Sequence, residues 1–399
     1  MSTSFSDSLN FSPLAGDFSA YPAVTMLPAA VGPFAPAMTV VAPQAGHVAI
    51  VGAGNAAHSL ACLLSSRGFY PHFLVRSPDK VRELAERKTI KSTGKIEGEF
   101  NIVEATAEPA AMLDKCATIF VATTTGCYGE IARRLAPHLR EHHEVILFSS
   151  KFGGVCEFKT ALGHRNTYPA LMETDSLFAS RLQDDGSIWI RGFKSWNLYT
   201  SYNKSQTQRN AAVMRRFFPG LEEAENVVQR GLTDFGAFAH ALTMITNMHN
   251  VARGDDFLFY YEGFTDRTLV IMEQLEDEFR AIARAYETEI IPMKELLNRY
   301  YGCDTSGNLL QAMRTVPNYQ FSKAPNTLDH RFIEEDVSCS LVPIQALARK
   351  ANLDTPIVDS VVNISSVLLG RDFKNEGRTL AKLGWNGMSH AEILRTIYE

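Results

Sequence analysis

Three groups of residues in this 399-residue chain have types and spacings that could do chemistry. The first is Gly52-Ala-Gly54-Asn-Ala-Ala57, a G-x-G-x-x-A loop. Gly52 permits a tight turn, Gly54 lets the backbone approach a pyrophosphate, and Ala57 is small enough for close helix–strand packing. The helix that follows would turn the positive end of its dipole toward the phosphates. The second group is Arg76-Ser77 at the end of the next strand-like run, where an NAD-selective site usually places Asp or Glu for the ribose hydroxyls. Arg and Ser suit a 2′-phosphate through charge-assisted hydrogen bonds, which predicts NADP ahead of NAD. The plainer alternative stacks Arg76 on adenine or leaves it in solvent. The third group is the eleven histidines, because imidazole titrates near neutral pH and can move protons. His58, His138, His142, His143 and His164 read as packing or surface, and by context alone His240 and His249 too read as ordinary histidines before proton carriers.

These residues need elements to position them. His47–Val51 is short, apolar and β-branched, as a buried parallel strand should be. The loop and a helix with Leu60, Leu63 and Leu64 on one face come next, and His72–Arg76 reads as a second strand. Ala117–Ala122 and Glu144–Phe148 continue the series, with a helix between them. This alternation predicts a Rossmann-type, doubly wound parallel sheet. Ligands lie beyond the carboxyl ends of strands in such a sheet, so Thr123 is placed to touch the cofactor ribose. Lys151-Phe-Gly-Gly154 would shape the nicotinamide pocket, with Lys151 read as a surface lysine in preference to a catalytic one.

After about Val228 the periodicity changes to 3.6 residues. Leu269, Met272, Leu275, Phe279, Ile282 and Tyr286 form one stripe, and Ile357, Val361, Ile364 and Leu368 another. Thr355, Pro356 and Gly370 bracket the second helix. The expected organisation is an N-terminal arm at 1–46, a dinucleotide-binding domain at 47–228 and a helical substrate domain at 229–399. The arm is expected to be disordered or loosely docked, being Pro-broken with only Asp7 and Asp17 as charges.

Composition narrows the function classes. A formal net charge of −5 without a long basic run gives nucleic-acid binding no support. No apolar run is long enough to predict a membrane span. The six cysteines include no C-x-x-C pair, which argues against structural zinc and for free thiols in the cytoplasm. A homodimer is compatible with the sequence, which does not fix the oligomeric state.

The second half carries a resemblance. Phe259-Tyr-Tyr-Glu-Gly-Phe-Thr265 running on to Arg280, Glu173-Thr-Asp-Ser-Leu-Phe-Ala-Ser-Arg181, and His330-Arg-Phe-Ile-Glu-Glu-Asp336 together resemble the opine dehydrogenase family. The resemblance covers about 47–385. It implies reductive joining of an amino acid to an α-keto acid through an imine, with a nicotinamide cofactor as reductant. The family's catalytic histidine precedes the Tyr-Glu-Gly segment by about a dozen residues, which selects His249 with His240 as its rival. Asp336 matches the aspartate that orients the histidine, with Glu335 the alternative if the register slips. Arg331 matches the carboxylate-binding arginine. Five residues along a helix separate Arg331 from Asp336 by roughly 140°, so the two would meet different parts of one site. The family often has Asn four residues before its histidine, whereas Ile245 stands there here. Glu173 and Arg181 read either as lining the junction between sheet and helices or as an ion pair that stabilises the fold.

Two other functions remain open on sequence. A reductase of 2-keto or 3-hydroxy acids would use the same plan with a lysine near the start of the helical domain, and none lies between Arg230 and Arg253. A non-catalytic nucleotide sensor would have lost the histidine, aspartate or arginine, and candidates for all three are present.

Overall fold

A computed structural model describes residues 45–202 and 207–399. All but the last two residues of the expected arm at 1–46 lie outside the described residues. The strands are β1 (His47–Val51), β2 (Tyr70–Leu74), β3 (Thr89–Gly94), β4 (Gly98–Asn101), β5 (Glu104–Thr106), β6 (Thr118–Val121), β7 (Glu144–Phe148), β8 (Ala170–Thr174), β9 (Phe178–Leu182), β10 (Ile188–Phe193), β11 (Asn197–Ser201) and β12 (Leu221–Glu223). Eight of them form one sheet in the order β12-β11-β8-β7-β6-β1-β2-β5. Neighbours from β8 to β5 are parallel, while β11 runs antiparallel to β8. The predicted parallel sheet is present, with an antiparallel edge added to it.

Alternation along the central strands divides two cores. Val48, Ile50, Phe120, Ile146 and Phe148 face one side, in a core shared with the helix Asn55–Ser66 and with Phe217 and Phe218. Ala49, Val51, Ile119, Val121, Val145 and Leu147 face the other. The second core does not stop at the sheet. It continues without a break into helices Phe235–Thr246, Asp266–Ala285, Val342–Lys350 and Pro356–Leu369. Burying that apolar face at both ends holds the helical part against the sheet. No helix among the described residues is long and apolar enough to cross a membrane.

Helix Asp266–Ala285 buries Leu269, Met272, Leu275, Phe279 and Ile282, as its periodicity predicts. In helix Pro356–Leu369 the expected stripe is rotated. Val358, Val361, Val362 and Ser365 are buried, whereas Ile364 is largely exposed. That helix is apolar on several faces, so its partner decides which face is covered. A smaller sheet, β4-β3-β10-β9, has no counterpart in the sequence reading. Its strands are short and its two halves lie about 90 residues apart in the chain, so no local pattern joins them.

At the first crossover Gly52 has φ +116° and donates its N–H to Leu74 at 3.0 Å. A Cβ there would lie 2.4 Å from the Ala122 carbonyl oxygen. A Cβ on Gly54, by contrast, would meet nothing within 4 Å. Gly52→Ala is therefore expected to destabilise the fold by about 1–3 kcal/mol or more, since strain and collision act together. Gly54→Ala should leave the melting temperature near wild type and weaken dinucleotide binding. Thermal denaturation with and without NADPH separates the two effects.

Candidate active site

The site begins at the carboxyl end of β7. Ser149 adopts a left-handed backbone, φ +76°, a strained conformation for a residue with a side chain, and Lys151 follows two residues later. Lys151 is not a surface lysine. It is 8% exposed, and its Nζ lies 3.1 Å from Asp234 Oδ2 and 2.7 Å from Asp336 Oδ1. Burial alone would lower its pKa, but the Asp234 and Asp336 carboxylates outweigh that and hold it well above the usual value.

Asp234 caps helix Phe235–Thr246, its Oδ1 accepting from the N–H groups of Gly236 at 2.8 Å and Ala237 at 3.3 Å. Asp caps satisfy free donors at helix starts, which accounts for this residue's place in the chain. The same helix carries His240. Asp336 ends the short helix Arg331–Asp336, directly before a π-helical turn at Val337–Leu341. Its Oδ2 is 2.7 Å from His240 Nδ1. Burial opposes ionisation of Asp336, yet Lys151 and His240 draw its pKa down to about 2. An ionised Asp336 makes Nδ1 the protonated nitrogen of His240. Nε2 is left to accept from the Tyr260 hydroxyl at 2.6 Å. Burial pushes the Tyr260 pKa up, so its hydroxyl keeps its proton. The imidazole stacks on Phe332 at 4.0 Å, and Tyr260 stacks on Tyr319 at 4.0 Å.

His240, Lys151, Asp336 and Arg331 line one cleft, open to solvent, between the sheet's carboxyl edge and the helices. Arg331 is exposed at its mouth and Asp336 buried at its base, in keeping with their expected divergence. His249 does not reach this cleft. It lies exposed on the separate short helix Met248–Arg253, beyond a break at Asn247. The Nδ2 of Asn247 donates to the carbonyls of Thr243 at 2.9 Å and Gly263 at 2.8 Å, a structural role. Counting along the chain to Tyr-Glu-Gly selects His249 because the spacing ignores this break. With His240 in the site, the position four residues before it is Gly236. A Cβ there would come within 2.9 Å of Lys151 Nζ and 3.0 Å of His240 Cε1, so the glycine makes room for the lysine.

Glu335 is not the histidine's partner. Burial raises its pKa, and its Oε1 has no partner among the described residues. Glu173 is fully buried and does not meet Arg181, which is exposed. Its Oε2 accepts from Ser150 Oγ at 2.9 Å and the Val155 N–H at 2.7 Å, and Arg230 Nε lies 3.8 Å from its Oε1. Lys151, Tyr260 and Asp234 were not legible as a set. The capping pattern of Asp234 was the one local signal pointing to the helix that carries His240.

The residues expected to hold a dinucleotide are grouped at the sheet's carboxyl edge. Thr123 lies two residues beyond the end of β6, beside Gly52, with its Cβ 3.4 Å from where a Gly52 Cβ would stand. Ala57 is fully buried at the helix–strand contact. The open space above Gly54 fits the close approach of a pyrophosphate. Ser77 caps helix Pro78–Arg87 through the Lys80 N–H at 3.4 Å. Arg76 is exposed and lies 3.2 Å from Glu130.

A dinucleotide-binding sheet joined to a helical body, with a histidine–aspartate pair at the seam, defines a two-domain nicotinamide-nucleotide oxidoreductase. Residues 223–369 match the model of the NAD/NADP octopine/nopaline dehydrogenase alpha-helical domain, and residues 48–196 match that of ketopantoate reductase PanE/ApbA. The chain is 28% identical over 349 residues to an opine dehydrogenase of Arthrobacter sp. (strain 1C), covering 86% of this chain and 97% of that one. It superimposes on octopine dehydrogenase with NADH and L-arginine at a TM-score of 0.73 and 17% identity, covering 87% and 97% of the two chains. NADP+-bound yersinopine dehydrogenase gives a TM-score of 0.62 at 15% identity, with 90% and 99% covered. The resemblance to opine dehydrogenases thus extends over most of the chain, and its helical part matches the octopine/nopaline dehydrogenase domain.

Removing the Lys151 ammonium would leave two buried carboxylates facing each other. Lys151→Met is expected to cost about 3–5 kcal/mol, as for other broken buried pairs. Lys151→Met/Asp234→Asn should recover much of that, because Asn still caps the helix. Denaturant unfolding of both variants checks this. The sign with pH is fixed by Asp336. Its pKa is depressed when folded, so its contribution is complete above the ordinary carboxylate range and is lost as pH falls toward 2.

Proposed function

We propose that the protein is an NAD(P)H-dependent opine dehydrogenase that condenses an amino acid with an α-keto acid and reduces the imine to a secondary amine. The observation that carries this reading is the His240–Asp336 pair at the mouth of the sheet, 2.7 Å between Nδ1 and Oδ2, in a cleft that also contains Arg331. The bound dinucleotide supplies the reducing equivalent. Gly52, Gly54, Ala57 and Thr123 would hold its phosphates and ribose, with Arg76 and Ser77 at the 2′-position.

In this reading His240 Nε2 carries the proton. It takes one from the amino acid's ammonium, which frees the nitrogen pair for attack on the keto carbon. It returns one to the hydroxyl that leaves as water. Asp336 fixes the tautomer and stabilises the imidazolium. Lys151 is a positioning residue, since it holds Asp336 ionised and in place. Arg331 anchors a substrate carboxylate. Tyr260, now on Nε2, gives way to the reacting nitrogen or passes its hydrogen bond to it.

The keto-acid reductase gains one observation, because the cleft does hold a lysine, delivered from the sheet. Lys151 is committed to two carboxylates, however, and these favour keeping its proton rather than donating it. Substrates are small anions, and neither nucleic acid nor membrane enters this reading. A homodimer is compatible with it. The six free cysteines agree with a cytoplasmic location.

The test pairs each amino acid with pyruvate, oxaloacetate, glyoxylate or 2-oxoglutarate and follows NADPH and NADH oxidation. Amine-dependent oxidation is expected, and oxidation with keto acid alone would establish the simple reductase instead. His240→Ala should lower kcat at least about 100-fold with the NADPH Kd nearly unchanged. His249→Ala should stay within about twofold of wild type.

NADP is expected ahead of NAD. Arg76→Ala should raise the KM for NADPH about tenfold and leave that for NADH alone. Glu130→Gln, which releases Arg76 from its surface pair, should lower the NADPH value. Steady-state kinetics with each cofactor reads both.

A further inference from the structure

The charges lining the cleft are unevenly paired. Asp175 is paired with Lys194 at 2.6 Å, and Asp336 is shared by Lys151 and His240. Glu335 also lines the cleft and feels the charge of Arg331, although the two form no ion pair, whereas Arg191 has no carboxylate acting on it among the described residues. Arg191 was not singled out by its sequence context. It lies on β10 at the point where the ladder with β9 slips by one residue, Ile190 facing Ser180 and Gly192 facing Ala179. Such bulges re-aim a side chain and recur beside active sites. The neighbouring Gly192 lets Asn318 close in, since a Cβ there would be 3.0 Å from its side-chain carbon.

The guanidinium is held but not spent. Nη1 donates to the Phe321 carbonyl at 3.0 Å, and Nε is buried without an acceptor among the described residues. Burial is the main influence that disfavours its charge, and the like charges of Arg181 and Arg331 add to it. A half-buried cation among like charges is costly unless an anion joins it. Tyr260, Tyr301 and Tyr319 line the same cleft.

We propose that Arg191 and Arg331 each hold one carboxylate, so that the cleft selects a ligand with carboxylates on both sides of a secondary amine. This rests on the opine-forming reading and extends it, because the amine partner must then keep its own carboxylate. Arg191 thereby becomes a determinant of specificity that sets amino acids above simple amines.

The experiment measures binding as well as turnover. N-(1-carboxyethyl)alanine and the monocarboxylate N-ethylalanine are titrated calorimetrically into wild type, Arg191→Met and Arg191→Lys, each with NADP+. Wild type should prefer the dicarboxylate by about 10- to 100-fold, the usual scale for a charge-assisted contact. Arg191→Met should lose that preference and keep its monocarboxylate affinity, and Arg191→Lys should fall between. In turnover, Arg191→Met should raise the KM for one of the two acids and leave kcat within a few-fold. Unchanged preference in Arg191→Met overturns the proposal. Should Arg191→Met not fold, Arg191→Gln decides, because wild-type preference in that variant also overturns it. If no amine and keto acid pair is turned over while the dicarboxylate preference still depends on Arg191, the opine-forming reading fails and the two-arginine site stands.

Discussion

The Lys151 ammonium, buried between Asp234 and Asp336, is the interaction on which the site depends. It comes from the end of a sheet strand and binds two carboxylates from the helical body. One of these starts the helix that carries His240, and the other orients the imidazole. Three charges out of water are costly singly and tolerable only together. The cluster therefore works as a register between sheet and helices, since a shift of either part would leave a charge unpaired.

Two further buried cations hold the loop that delivers this lysine. Arg230 donates to the Ser150 carbonyl at 2.5 Å and lies against Glu173, which itself binds Ser150 and the Val155 N–H. Arg378, far along the chain, reaches Glu157 at 2.6 Å, the Phe152 carbonyl at 2.9 Å and the Thr125 hydroxyl at 2.8 Å. Residues 150–157 thus have polar partners on both sides. A strained Ser149 persists in such a setting because its surroundings over-determine it.

The legible part of the fold was local. The parallel strands, the glycine turn at Gly52 and helix Asp266–Ala285 each follow from a periodicity or a backbone requirement within a dozen residues. Asp336 and Arg331 were legible through a resemblance. What failed was anything set by three-dimensional closure. His249 and His240 have similar contexts, and only the helix break at Asn247 sends one into solvent and the other into the cleft. Lys151 resembled a surface lysine because its carboxylate partners lie 83 and 185 residues away in the chain. Arg191 depended on a strand slip that no composition reveals.

That failure bears on how a lysine should be weighed in such a fold. Its absence from the start of the helical body spoke against a lysine-dependent reductase, yet a lysine arrives from the other wall. Presence is still not function. An ammonium held by two carboxylates is pinned as a cation, whereas the imidazole beside it has one nitrogen held only by the neutral Tyr260 hydroxyl. The position that decides between the two is Gly236, whose missing side chain admits the lysine tip against Asp234. A Cβ there would press on the lysine tip at 2.9 Å, which would have to shift against the two carboxylates that hold it.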